Sequence, residues 1–328
     1  MEDFSDSMMI GIDVGATKIA AALVTSNGQV LATRREYTRA EEGITNVVER
    51  ITKLANELID HSLDFTEAQL NQLMGIGIGI PGQVDSKNGV VRDAVNLGWS
   101  EVHLVSDIQK GLVRDVPVLI DTDANASTLG EFYFGAARDY YDFVFINIGS
   151  GLGAGIFVNG RLVKGSTRKA AELGHISLDV NGSRCKCGLR GCPETIVSGP
   201  GLLHLVVEYL EQSKYSSRFK SNTQVTTKEL ISAANDGDDL AIAAFSEMGR
   251  HLGFVISICL SILNPALIVI GGGLGLASFE LVIPSSKREI KRRVFPSLHS
   301  HLKIMKSQLE SSAIGAASLV LTQELGSN

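Results

Sequence analysis

Apolar positions along the chain follow two patterns, short continuous runs and a helical spacing near 3.6, and their alternation predicts an α/β protein. Continuous apolar runs, which read as buried strands, occupy 8–13, 19–24, 74–80, 116–120, 143–148, 154–158 and 266–270. Helical spacing governs 44–61, 202–211, 227–236 and 240–263, the last ended by Asn264-Pro265. Asn27-Gly28 and Asn159-Gly160 each join two strand-like runs, returning as 29–35 and 161–164. Asn-Gly suits the two-residue hairpin turn because both central residues need a positive φ. The order strand, glycine turn, strand, Asn-Gly turn, strand therefore starts at residue 8 and again at residue 143. This repeat predicts two related α/β domains facing one another across a cleft, with a glycine loop from each directed into it. The expected partition is 1–122, a small domain completed by a helix of small apolar residues at 311–324 and the C-terminus to 328, and 123–310, a larger domain.

Composition changes that picture mainly by exclusion. With 328 residues, 44% hydrophobic and 20% charged, the chain can bury a sizeable core and is far from a disordered composition. A net charge of −6 offers no basic domain for nucleic acid. No apolar run is expected to approach the ~18–20 residues of a membrane span. The acidic start, Met1 to Ser7, is the opposite of a signal peptide's basic segment, so a cytoplasmic location is expected. Of the 34 glycines, twelve cluster at 75–82, 149–155 and 271–275, where backbone must bend or approach a ligand.

Three glycine turns are candidate phosphate sites. In Asp13-x-Gly15-x-Thr17-Lys18, Gly15 admits a close ligand, and Thr17 and Lys18 can donate hydrogen bonds to an anion. Asp13 suits Mg²⁺ held through water, since that ion keeps several waters and takes one or two carboxylates; a solvated tight turn would carry the same residues. Gly149-Ser150-Gly151-Leu152-Gly153-Ala154 matches the dinucleotide fingerprint in form, but a strand follows it where the fingerprint needs a helix. A glycine loop between hairpin strands can still present successive N–H groups to an anion. Gly271-Gly272-Gly273, after an apolar strand and at a helix start, is the third. Together the three imply a nucleotide.

Carboxylates and thiols add a second kind of chemistry. Asp121-Thr122-Asp123 follows the strand at 116–120 and precedes a helix expected over 126–134. A carboxylate at a strand's C-terminal end is where α/β sheets present chemistry, and Asp123 can accept a hydroxyl proton there. Alternatively Asp121 or Asp123 caps the helix. His175, Cys185, Cys187 and Cys192 complete the tetrahedral donor set of a structural zinc, with Gly188 and Gly191 allowing a tight loop. Disulfides are the alternative, although three cysteines cannot form two bridges. Such a loop would hold Glu172 and Glu194, one on each side, where two carboxylates can grip sugar hydroxyls; exposed surface Glu is the plain alternative. Cys259 reads as a core thiol, and the charged run 287–293 as a solvated helix face.

These residues together resemble the ROK family of repressors, uncharacterised reading frames and kinases, and within it the bacterial glucokinases. The most specific element is Glu172-Leu173-Gly174-His175 followed by Cys185-Lys186-Cys187-Gly188-Leu189-Arg190-Gly191-Cys192-Pro193-Glu194, and the resemblance runs from residue 10 to the helix at 311–324. It implies an actin-like ATPase fold of the sugar kinase/Hsp70 type, with two α/β domains flanking a cleft. It further implies ATP, Mg²⁺ and structural Zn²⁺, a homodimer or higher homo-oligomer, and phosphorylation of a hexose 6-hydroxyl, glucose first. By the same resemblance Asp123 would be the catalytic base, and Gly82, Gln83, Asn96, Glu172, His175 and Glu194 would lie at the sugar. Gly15, Thr17, Lys18, Gly149, Ser150 and Gly151 would bind phosphates, and Gly271, Gly272 and Gly273 the adenosine side. Thr122 stands where the family usually carries a sugar-contacting Asn, which leaves room for mannose, allose, fructose, an N-acylhexosamine or a cyclitol. Ser150 keeps the hydroxyl of the usual Thr, and Ala16 replaces a common Gly. Family repressors carry an N-terminal helix-turn-helix extension, and the short acidic segment before Gly11 points away from them. A catalytically silent sugar sensor is the remaining alternative.

Overall fold

The computed structural model describes residues 7–62, 73–220 and 224–322. Residues 323 and 324 of the expected final helix, and most of the acidic start, lie outside them. The chain divides into two compact units. The first takes 1–139, the segment Lys164–Lys169 and 308–328; the second takes Tyr140–Val163 and Ala170–Ser307.

In the first unit, β1 (Met8–Val14), β2 (Lys18–Thr25) and β3 (Val30–Tyr37) form the expected antiparallel meander. The helix α1 (Ile44–Ser62) buries Val47, Ile51, Leu54, Ala55 and Leu58, the stripe that its spacing predicts. Next comes β4 (Leu73–Ile80), parallel to β1. A separate three-stranded sheet, β5 (Gln83–Asp85), β6 (Val90–Ala94) and β7 (Trp99–Val102), was not evident from the sequence because its strands are too short to show a period. After α2 (Leu104–Gly111), β8 (Val118–Thr122) completes a five-stranded sheet of order β3-β2-β1-β4-β8, and it leads directly into α3 (Asp123–Tyr133).

The C-terminal helix, Ser312–Ala317, is shorter than expected, and its small residues have a packing reason. A Cβ at Gly11 would lie 1.8 Å from the Ala313 carbonyl oxygen, and one at Gly77 would lie 1.9 Å from that of Ala316. Helix backbone thus rests on sheet backbone. A Cβ at Gly130 of α3 would lie 2.6 Å from Gly315 Cα, so α3 is equally close. Because α3 packs on this helix and on β4, the division of the chain falls after Asp139, where the sequence partition placed it after 122.

The second unit has the same sheet. Its strands are β9 (Phe143–Ile148), β10 (Leu152–Val158), β11 (Arg161–Leu162), β12 (Leu267–Gly271) and β13 (Lys303–Lys306). Their order is β11-β10-β9-β12-β13, with β9 antiparallel to β10, β9 parallel to β12, and β12 parallel to β13. Order and sense match the first sheet strand for strand, so the sequence repeat is a structural duplication. Strand β11 stops at Leu162 where a strand to 164 was expected, because Lys164 leaves to join the first unit.

Helices α4 (Gly199–Glu211), α5 (Thr227–Asn235) and α6 (Asp239–Leu263) follow, then α7 (Gly273–Ala277) and α8 (Phe279–Arg293). At 25 residues α6 is long and apolar enough to cross a membrane, which corrects the expectation that no apolar run reaches that length. Half of its most apolar window is buried, because α6 is the central helix of this unit, packed on α4, α5 and α8. Cys259 lies fully inside, as expected of a core thiol, and burial pushes it up to about 12. The charged run is only partly solvated: Glu289 and Ile290 are buried, and Glu289 accepts from Arg293 Nε at 2.5 Å.

Candidate functional site

In the first unit the candidate residues gather where the parallel strands end. Register pairs Asp13 with Gly79 and Gly79 with Asp121, so the three form one row across β1, β4 and β8. A Cβ at Gly79 would meet Ala126 Cβ at 3.4 Å, Asp123 Cα at 3.5 Å and Asp13 Oδ1 at 3.7 Å, so Asp123 and Asp13 both border this glycine. Asp13 takes a hydrogen bond from the Ser312 hydroxyl, while burial pushes its carboxyl above the ordinary carboxylate range. The turn beyond it is held locally: Gly15 N–H donates to the Lys18 carbonyl at 2.8 Å, and the Thr38 hydroxyl to that of Gly15 at 2.6 Å. Thr17 and Lys18 stay exposed.

Neither aspartate is the helix cap. Thr122 is, with its Oγ1 accepting from the Asn125 N–H at 3.1 Å. The buried Asp121 carboxylate accepts from Thr122 N–H at 2.8 Å, Asn125 Nδ2 at 2.7 Å and Lys164 Nζ at 2.7 Å. Asp123 is the first residue of α3, half-buried, and its carboxylate sits at the positive end of the helix dipole. Gly82, with φ +106°, passes so close to the β6 end that a Cβ would lie 2.2 Å from the Asp93 carbonyl oxygen. That contact brings Pro81-Gly82-Gln83 beside the short turn Val95–Leu97, on which Asn96 is exposed.

In the second unit two of the glycine sites meet. Gly271 pairs with Asn147 across β12 and β9. Gly272 holds φ +81° where a Cβ would lie 2.3 Å from the Ile148 carbonyl oxygen, next to Gly149. The turn at 149–153 closes through Gly149 N–H to the Gly151 carbonyl at 3.0 Å, with Ser150 exposed.

His175, Cys185, Cys187 and Cys192 converge so that their ligand atoms all lie within 4.8 Å of one another. Cys185 Sγ is 3.7 Å from His175 Nδ1, and Cys187 Sγ is 3.6 Å from Cys192 Sγ. Tetrahedral zinc with Zn–S near 2.3 Å needs edges of about 3.8 Å, so the residues fit that ion. Gly188 (φ +95°) turns the chain between Cys187 and the Cys185 N–H to Leu189 carbonyl bond of 2.8 Å. With Nδ1 in the cluster, His175 keeps Nε2 on the opposite edge of its ring. Glu172 is exposed immediately before the Leu173–His175 turn. Glu194 follows Cys192 by two residues and is more engaged than a surface carboxylate, accepting the Leu152 N–H at 2.9 Å.

The ROK family pattern matches residues 9–323, and the chain belongs to that family. It is 31% identical over 326 residues to a glucokinase of Halalkalibacterium halodurans, covering 98% of this chain and 97% of that one. It is also 32% identical over 324 residues to a xylose repressor of Caldicellulosiruptor bescii, covering 97% of this chain and 79% of the repressor. The crystal structure of a ROK family glucokinase from Streptomyces griseus in complex with glucose and AMPPNP superposes with a TM-score of 0.79 at 28% identity, over 96% of this chain and all of that one. With the duplicated sheets, these matches identify the actin-like ATPase fold.

Three features of the site were not anticipated: Thr122 as cap, Lys164 on Asp121, and Glu194 on Leu152. Thr122 is one of three adjacent residues able to cap a helix, and the sequence does not choose among them. The other two join residues 43 and 42 positions apart, and no local pattern marks them.

Proposed function

We propose that the protein is an ATP-dependent sugar kinase that phosphorylates the 6-hydroxyl of a hexose, with glucose the first candidate. The observation that carries this reading is Asp123, a carboxylate at the start of α3 directly beyond β8, with Asp13 bordering the same glycine, Gly79. Asp123 would take the proton of the sugar hydroxyl as its oxygen attacks the γ-phosphorus and ADP leaves. Gly82, Gln83, Asn96, Glu172, His175 and Glu194 would hold the sugar. The hydroxyl of Thr122 accepts the Asn125 N–H as the cap of α3, and its O–H would still have a proton to donate to a sugar oxygen. Gly15, Thr17, Lys18 and the 149–153 turn would hold phosphates, and 271–273 the adenosine side. Mg²⁺ near Asp13 would neutralise phosphate charge. Zinc on His175, Cys185, Cys187 and Cys192 would be structural, since four protein ligands leave no open position. A cytoplasmic homo-oligomer that engages sugar and ATP, and neither nucleic acid nor membrane, belongs to the same reading.

A second reading, a sugar-responsive regulator without turnover, draws support from the 32% identity to a xylose repressor. Coupled ADP release across glucose, mannose, allose, fructose, N-acylhexosamines and cyclitols separates the two. Sugar-dependent ADP release is expected, and sugar binding without release on every member of the panel would overturn the kinase reading.

A further inference from the structure

The 149–153 turn and the cysteine loop are joined in a way that neither role requires by itself. Leu152 sits between the two arms of the four-ligand cluster. On the His175 arm, a Cβ at Gly174 would lie 2.3 Å from the Leu152 carbonyl oxygen, so that arm presses on the turn's backbone. On the Cys192 arm, Glu194 Oε2 accepts the Leu152 N–H at 2.9 Å, and a Cβ at Gly151 would lie 2.7 Å from the same oxygen. Glu194 is itself fixed. It lies in the short helix Pro193–Thr195, closed by Thr195 N–H to the Cys192 carbonyl at 3.0 Å, and its own carbonyl accepts from the Ser198 hydroxyl at 2.7 Å. One turn later Gly199 N–H donates to the Gly149 carbonyl at 2.8 Å, holding the other end of the turn.

We propose that Glu194 is a positioning residue for the nucleotide turn, and that nucleotide affinity therefore depends on the integrity of the His175/Cys185/Cys187/Cys192 cluster even when no sugar is bound. A residue assigned to sugar binding thus also carries the phosphate loop. A sugar that draws on the same carboxylate acts directly on the Leu152 N–H bond, which couples the two substrates. This inference rests on the kinase reading for the identity of the ligand.

The test uses the full chain, without sugar, in two measurements: Kd for MgATP by calorimetry, and amide exchange at Leu152 without nucleotide. Glu194→Ala should weaken MgATP about tenfold, the worth of one hydrogen bond to a charged group, and speed Leu152 exchange. Glu194→Gln keeps an oxygen that can accept the same N–H, so it should restore both values to within about twofold of the parent while sugar affinity stays reduced. Cys187→Ser, at the exposed cysteine, should reproduce the Glu194→Ala result. Parent-like MgATP affinity and Leu152 exchange in Glu194→Ala would overturn the inference, as would failure of Glu194→Gln to restore them. If Glu194→Ala does not fold, unchanged Leu152 exchange in Cys187→Ser overturns it instead. A parent chain that binds no MgATP would count against the kinase reading, and the exchange measurement would still decide the inference.

Discussion

The β1–β2 turn of the first unit and the β9–β10 turn of the second occupy equivalent places in equivalent sheets, yet different things hold them. The first closes on its own neighbourhood, through Gly15 to Lys18 and Thr38 to Gly15. The second is gripped from far along the chain by Glu194 and Gly199, on either side of the segment that leaves the cysteine cluster. The strand ends differ too. Strand β8 runs into a capped helix bearing Asp123, whereas β13 ends beside β12, with Ser307 N–H donated to the Ile270 carbonyl. The faces differ as well: Gly11 and Gly77 admit a helix backbone onto the first sheet, and β9 has no glycine. Duplication has kept the sheet, and the chemistry lives in segments that the sheet merely presents.

The comparison can be broken most sharply at Asp123. Asp123→Ala should lower sugar-dependent turnover by about 10²–10⁴-fold while sugar binding, read by calorimetry, persists. Retained turnover would remove Asp123 from its role and leave the two strand ends chemically alike. Stripping the cluster comes next. Purified protein should carry about one zinc per chain, and a chelator or Cys192→Ser should destabilise the second unit by several kcal/mol. Amide exchange should then rise over 149–155 and 172–199 and stay unchanged over β1 and β4. Less than about half an equivalent of zinc in protein never exposed to chelator would count against the cluster. A smaller effect is expected at Gly11, where Ala must displace a helix carbonyl 1.8 Å away. Gly11→Ala should cost about 3 kcal/mol in a denaturant titration, at the upper end for overpacking. The smallest change is Lys164→Ala. It leaves the Asp121 carboxylate with its two remaining donors, and the lysine is already one-third exposed. A loss of about 1 kcal/mol is expected, with a few-fold fall in kcat and no change in MgATP affinity.

Much of this molecule can be read from short windows. The two-residue hairpin at Asn159-Gly160, the buried strands, α1 and α6 follow from turn chemistry and periodicity, which depend only on neighbours in sequence. At Asn27-Gly28 the hairpin is there but the turn is wider, closed by Thr25 N–H to the Gln29 carbonyl, with a positive φ at Gly28 and not at Asn27. The cluster is nearly as local, since Cys185, Cys187 and Cys192 lie in one loop and only His175 is more distant. Where local rules competed, the sequence was ambiguous. Asp121, Thr122 and Asp123 are all capable caps, and burial of Asp121 against Lys164 left that task to Thr122. The C-terminal helix was legible as small and apolar, but its purpose was not, because Gly11 and Gly77 explain it only from the other side of the contact.

Residue pattern by itself thus determined the longer buried strands and periodic helices, the internal repeat, the four metal-ligand candidates and the carboxylate at a strand end. Tertiary structure alone decided that α3 stays with the first sheet, that Lys164 neutralises Asp121, and that Glu194 takes the Leu152 N–H. Those outcomes depend on strand order and on which loops the sheets bring side by side, a property of the whole chain's packing that no window of sequence encodes.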